Sequence, residues 1–250
     1  MSRAIILVTV AFFANAMAAM AGGGVGLIQL PLLLFLGLPY AQALATHKVA
    51  SVALGVGAAS RYRHSGLLSG RFAGFMLLTG MPGVFLGALG ILATPPHMAR
   101  LALGLLTTAL GFYSLWSHDL GQVARPHNRD LRGFALGGLG LFVIGLLNGS
   151  ITSGTGLFCT LWLVRWFGFD YKAAVAYTLI LVGLVWNATG AATLGSFGDI
   201  QWVWLPWLLV GAVTGSYTGA HWGLAVSNRW IKRAFEILTI GVGLRLLISP

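Results

Sequence analysis

Apolar stretches recur along the chain near residues 4–21, 25–38, 41–60, 72–93, 99–116, 133–148, 155–168, 172–194, 201–224 and 231–248. Polar residues are confined mostly to the short gaps between them. A helix crosses the hydrocarbon core of a bilayer with about 20 residues, so the pattern predicts an all-α integral membrane protein, one polytopic domain over 1–250. The second and seventh stretches are shorter, and a helix of about 14 residues reaches only about 21 Å. Each follows a glycine-rich interruption, Gly22-Gly23-Gly24-Val25-Gly26 and Ser153-Gly154-Thr155-Gly156. Broken or half helices are expected after Gly22–Gly26 and after Ser153–Gly156.

The order of elements repeats. Gly26-Leu27 corresponds to Gly156-Leu157, Phe35-Leu36-Gly37-Leu38 to Trp166-Phe167-Gly168-Phe169, and Ala43 and Ala45 to Ala174 and Ala176. Further on, Gly83-x-x-x-Gly87-Ala88 corresponds to Gly215-x-x-x-Gly219-Ala220, and Arg100-x-Ala102 to Lys232-x-Ala234. Glycines four apart are expected to pack helices closely. Repeat 1 then spans 1–117, a cytoplasmic linker 118–132, and repeat 2 133–250. About five segments in each half is an odd number, so the two copies are expected to lie upside down relative to each other.

Charge bears on this expectation. The gap holding Arg61, Arg63 and Arg71 is basic, whereas its counterpart, 195–201, holds Asp199 and no Lys or Arg. With ten segments, those arginines fall on the same side as Arg125, Arg129, Arg132, Arg165, Lys172, Arg229, Lys232 and Arg233, which is the cytoplasmic side by the positive-inside rule. An eight-crossing alternative, with both short segments as re-entrant stubs, puts Arg229, Lys232 and Arg233 outside. Arg3 and the apolar run to Ala14 imitate a secretory signal, but removing it would delete an element that has a counterpart later, so it reads as an uncleaved first segment.

Composition narrows the classes. The 250 residues are 57% hydrophobic and 8% charged, against about 25% charged in soluble domains, which excludes a soluble enzyme and a disordered tail. The net charge of +10 is spread over short gaps instead of gathered into a phosphate-binding face, so no nucleic-acid partner is expected; the lipid bilayer is. The single cysteine, Cys159, rules out an internal disulfide and a cysteine-based metal cluster. No metal and no cofactor are expected. Paired broken helices within inverted repeats are a construction of secondary transporters, with substrate bound near mid-membrane. An interrupted helix is tolerated in hydrocarbon only where a cavity or ligand satisfies its backbone, and the positive end of a half-helix attracts anions.

Specific residues carry a family resemblance. Gly22-Gly23-Gly24-Val25-Gly26-x-x-x-x-Pro31, Gly37-Leu38-Pro39 and Ala41-Gln42-Ala43-Leu44-Ala45-Thr46, followed by Ser153-Gly154-Thr155-Gly156, Gly168-Phe169-Asp170, Ala173-Ala174 and Asn187, resemble the two signatures of the TauE/SafE sulfite-exporter family. The likeness runs in order through both halves. Two positions depart from the pattern: Thr46-His47-Lys48 stands where Thr-Asn-Lys is common, and Ser153 where a proline is frequent. The resemblance implies a membrane permease for sulfite, a sulfonate or another small organosulfur anion, with a lean toward export.

Candidate ligand-binding residues follow. Lys48 stands early in the third segment with no acid nearby in sequence; an intramembrane charge generally faces a cavity or partner, although snorkelling to the outer interface is the other role open to it. His47 can titrate near neutral pH or donate to oxyanions. Thr46, Ser51, Ser150, Thr152, Ser153, Thr155, Thr178 and Asn187 supply neutral donors at the breaks, while Gly22, Gly23, Gly24, Gly26, Gly154 and Gly156 shape them. Gln29 and Asn148 flank the breaks, either to bind ligand or to satisfy loose backbone groups, and Asn15 is open to both roles in the same way. Glu236, after Lys232 and Arg233, reads as a helix-surface ion pair, and His221 as a packing residue. The expected activity is alternating-access transport of a small sulfur-containing anion. A passive anion channel, a membrane enzyme and an assembly subunit are the alternatives, and a homodimer is compatible with the sequence.

Overall fold

The computed structural model describes residues 2–62, 65–90, 96–116, 121–152, 154–196 and 200–248. Among the described residues the regular structure is helical throughout, with no strand. Ten helices follow one another: α1 (Ser2–Ala21), α2 (Gly26–Phe35), α3 (Tyr40–Tyr62), α4 (Gly70–Gly90), α5 (Pro96–Trp116), α6 (Leu131–Ser150), α7 (Thr155–Phe167), α8 (Tyr171–Gly195), α9 (Leu205–Ala225) and α10 (Asn228–Ile248). Each coincides with one apolar stretch of the sequence to within a few residues, because each run is bounded by glycine, proline or charge. Four helices, α1 from Arg3, α4, α6 and α8, are both long and apolar enough to cross a membrane. With 10 and 13 residues, α2 and α7 are about 15 and 20 Å long, well short of the roughly 30 Å hydrocarbon core.

Small residues decide how the helices pair. A Cβ on Gly211, Gly215 or Gly219 of α9 would overlap the backbone of Val8, Phe12 or Ala16 of α1, so α1 and α9 run parallel in contact along a stripe of period four. Gly83 and Gly87 of α4 meet Phe142 and Leu146 of α6, while Gly145 and Gly149 of α6 meet Gly80 and Val84 of α4, so these two also run parallel. Such contacts replace the hydrophobic drive that lipid cannot provide between helices. Elsewhere α3 packs against the middle of α8, and α5 against α10. Gly55 and Gly183 make the first of these possible: a Cβ on Gly183 would lie 3.3 Å from the Gly55 Cα.

Contacts of the segment 121–130 place the helix ends. The Arg125 N–H donates to the Gly168 carbonyl at 2.8 Å and the Tyr171 N–H to Gly121 at 2.9 Å, so α7 ends and α8 begins where α6 starts. Asn228, at the start of α10, donates from Nδ2 to the Gln122 carbonyl at 3.0 Å. The first turns of α10, with Arg229, Lys232 and Arg233, therefore stand at the same end of the bundle as Arg125, Arg129 and Arg132. Asp130 and Asp170 cap α6 and α8 at this end, accepting from the Gly133 and Ala173 N–H groups at 3.1 and 2.9 Å, a use of Asp consistent with N-cap preference.

Two sequence expectations change. Lys232 and Glu236 do pair, at 2.6 Å, but with side chains only 9% exposed; Ser114 joins them, its carbonyl accepting from Lys232 Nζ and its hydroxyl donating to Glu236. The pair is thus an internal tie between α5 and α10, not a surface one. His221 is exposed on α9, because the glycine stripe on the opposite face of that helix turns it outward.

Candidate functional site

The two glycine breaks meet in space. Gly22, Gly23 and Gly24 hold φ of +85°, +139° and +94°, conformations that cost little only for glycine. A Cβ on Gly23 would come within 2.7 Å of the Gly156 Cα, so the backbone of one break rests directly on the other. Thr160 of α7 fastens the contact by donating to the Gly22 carbonyl at 2.8 Å and sharing a hydrogen bond with Thr178 at 3.0 Å. On the other side, Gly154 holds φ +79° and Thr152 φ +66°.

Between the breaks lies a cavity of about 30 Å³, close to the volume of one water molecule in the liquid. The backbone at Gly24, Val25 and Gly26 forms one side of it, and Thr155 and Gly156 the other. These are the starts of α2 and α7, and neither is capped by a side chain. Some of the first N–H groups are held in turns, Leu27 to the Gly24 carbonyl at 3.1 Å and Leu157 to the Gly154 carbonyl at 2.9 Å, and the summed peptide dipoles leave each start partially positive. Two such starts on one small cavity make a site suited to an anion. Side chains complete the wall: His47 and Ser51 from α3, Asn148 from α6, and Thr178 and Asn187 from α8. Among the described residues no carboxylate lines it.

His47 is fully buried. Its Nε2 shares a hydrogen bond with Ser51 Oγ at 3.2 Å, and its Nδ1 has no partner. An unpaired buried nitrogen costs roughly 1–3 kcal/mol.

Lys48 occupies the layer behind. Its ammonium is fully buried and donates to the Asn148 carbonyl at 2.6 Å, Asn148 Oδ1 at 2.8 Å and Asn187 Oδ1 at 3.3 Å. All three protons are thereby engaged, and the two asparagines it holds are cavity residues. Because Lys48 takes the Oδ1 of Asn187, the amide nitrogen is the end of that side chain left to serve a ligand. Asn148 Nδ2 in turn donates to Thr155 Oγ1 at 2.9 Å, linking the cation to the start of α7. Gly190 gives the lysine its path, since a Cβ there would sit 3.1 Å from Nζ. The snorkelling role is overturned: the side chain runs inward, not to the interface.

The middle of α8, Thr178–Trp186, is π-helical, a geometry found mostly at functional sites and rarely this long. It carries Thr178, Val182 and Gly183 into the cavity wall and sets Asn187 beside Lys48. No sequence signal announced it, because its composition is that of any apolar helix.

Of the residues expected at the site, Gly23, Gly24, Gly26, His47 and Ser51 line the cavity, as do Thr155, Gly156, Thr178 and Asn187. Gly22 and Gly154 shape the breaks from behind, and Lys48 stands one residue removed. Thr46 is drawn elsewhere, accepting from the Gln201 N–H at 2.9 Å. Gln29 accepts from Asn15 Nδ2 at 3.4 Å and lies outside the wall. Ser153 lies outside the described residues. Asn148, which the sequence marked as flanking, and Thr152, one of the expected donors at the break, also belong to the wall.

The sequence profile described as "Sulfite exporter TauE/SafE" matches residues 7–246. A "Probable membrane transporter protein ORF9" from a Sinorhizobium species is 29% identical over 245 residues, 98% of this chain and 92% of that protein. A "Probable membrane transporter protein" from Haemophilus influenzae is 30% identical over 234 residues, 94% and 90% of the two chains. "Probable membrane transporter protein YfcA" of Escherichia coli is 26% identical over 242 residues, 97% and 88%. No solved structure matches the chain significantly.

Proposed function

Since this chain belongs to the TauE/SafE sulfite-exporter family and is a multi-pass membrane transporter, we propose that it carries a small sulfur-containing oxyanion, sulfite or a sulfonate, through the cavity between its two glycine breaks. One observation carries the reading: the starts of two half-helices, neither capped by a side chain, share one cavity that no carboxylate lines among the described residues. An oxyanion offers several acceptors and no donor, so it matches a wall of N–H and O–H groups. The Lys48 charge behind Asn148 and Asn187 offsets the anion's charge without binding it directly, which leaves it free to depart.

A carrier is preferred to an open pore because the relatives are named as probable membrane transporters and paired broken helices are a construction of secondary transporters. In this proposal the chain is two inverted repeats, 1–117 and 133–250, joined by a cytoplasmic linker, 118–132. The parallel pairs α1 with α9 and α4 with α6 support it, since they exchange when the halves are exchanged. Under the positive-inside rule the end holding Arg125, Arg129 and Arg132 is cytoplasmic. The cavity is complete within one copy, so the single chain is the proposed carrier unit, with export as its direction.

Flux into proteoliposomes of purified protein, with labelled sulfite and sulfoacetate and with or without a pH gradient, tests this. Saturable flux accelerated by unlabelled anion on the opposite side is expected. Non-saturating flux without counterflow would replace the carrier by a channel. No movement of either anion by folded, reconstituted protein would reject the substrate class.

A further inference from the structure

We infer that a second binding site, for one anionic phospholipid, lies on the membrane-facing side of the bundle in the cleft between α5, α6 and α7. The inference rests on the protein being membrane-embedded and not on the transport reading. The cleft measures about 620 Å³, a size typical of ligand pockets, and its wall is almost wholly apolar. Leu136, Leu139, Val143 and Leu147 of α6 line one side, recurring at the spacing of a single helix face. The other side is Phe158, Leu161, Trp162 and Trp166 of α7.

The two indoles lie stacked on one another along α7, at 5.1 Å with an interplanar angle of 3°. Their Nε1 atoms donate to the Gly137 and Gly133 carbonyls at 3.1 and 3.0 Å, so their polar edges are already spent and apolar faces remain. Gly137 and Gly140 let the rings lie this close, since a Cβ on either would overlap Trp166 or Trp162. A straight, apolar trough beside the bilayer fits an acyl chain.

Charge at one end identifies the headgroup. The exposed Arg165 lines the cleft, its Nε donating to Tyr113 Oη at 2.7 Å. That bond fixes the guanidinium over the mouth and leaves its Nη groups for a ligand. Arg132, also exposed, is one turn before Leu136 on the same face of α6. Both apolar walls thus end in arginine at the basic end of the bundle, a pattern that matches a phosphodiester above an acyl chain. Basic pockets between transmembrane helices on this side bind anionic lipid headgroups.

The test uses the full chain in nanodiscs of phosphatidylcholine with or without phosphatidylglycerol, counting co-purifying lipids by native mass spectrometry. One phosphatidylglycerol is expected to be retained in preference to phosphatidylcholine. With about 1 kcal/mol per basic residue, the double variant R132Q/R165Q should weaken that preference on the order of thirtyfold. Leu139→Trp, which fills the trough and spares both arginines, should lower retention of either lipid. Equal retention of the two lipids, a preference that survives R132Q/R165Q, retention unaffected by Leu139→Trp, or a dimer that buries the cleft without lipid would each overturn the inference. Unchanged thermal unfolding of the variants shows that they fold, and R132Q alone, at a side chain without a hydrogen bond in the structure, provides a milder probe.

Discussion

Replacing Lys48 with glutamine isolates the contribution of its charge. Nζ touches the asparagines and not the cavity, so the anion in this proposal sits on the far side of those amides. A separation on the order of 6 Å and an effective dielectric constant near 20 give about 3 kcal/mol of attraction, a factor of roughly 100 in affinity. Glutamine keeps a donor for the Asn148 and Asn187 oxygens but removes the charge. Arginine is no substitute, since the space beside Gly190 is already taken by Cε and Nζ. The assay is initial uptake of labelled sulfite into proteoliposomes across a range of concentrations, with thermal unfolding of the purified variant alongside. Lys48→Gln should raise KM about a hundredfold and leave the unfolding temperature near that of the parent. A KM within threefold of the parent, in a folded variant, refutes the electrostatic role. A normal KM with slowed turnover would instead make Lys48 a residue that positions Asn148 and Asn187 for the conformational step.

Other predictions follow from the packing. Gly23→Ala puts a methyl group against the Gly156 backbone at φ +139°; overpacking and strain of this kind cost about 1–3 kcal/mol each, so lower thermal stability and abolished flux are expected, and a fully active variant would show that the breaks do not touch. In the α5–α10 tie, Lys232→Met or Glu236→Leu alone should destabilise by about 3–5 kcal/mol by stranding a buried charge, whereas the double variant should recover most of the loss. Additive losses in chemical denaturation would contradict the pairing. The one native cysteine, Cys159, is buried, which favours single-cysteine mapping: Arg229→Cys should react with an impermeant thiol reagent only from the cytoplasmic side of spheroplasts or inverted vesicles, and Trp202→Cys only from the other. The same side for both would invalidate the proposed threading.

Helix positions and type were legible in the chain because hydrocarbon admits only helices or closed barrels, and each helix must be apolar over its length. The two glycine breaks were equally plain, since they interrupt runs that nothing else interrupts. So were the packing stripes Gly83/Gly87 and Gly215/Gly219, where period four on an apolar helix has few other uses. Most of the candidate residues near the breaks do line one cavity, because they flank the two interruptions that meet in space. Which of those donors reach one another was not written along the chain. Lys48 and Asn148 are 100 positions apart and Lys48 and Asn187 139, and only the crossing of α3 with α6 and α8 turns the lysine inward onto two amides instead of outward to the interface. Thr46 and Gln29 shared the local features of His47 and Ser51, yet Gln201 ahead of α9 and Asn15 of α1 drew them into other hydrogen bonds. The π-helical stretch of α8 was illegible as well. Its composition is that of any apolar helix, and nothing along the segment itself sets it apart.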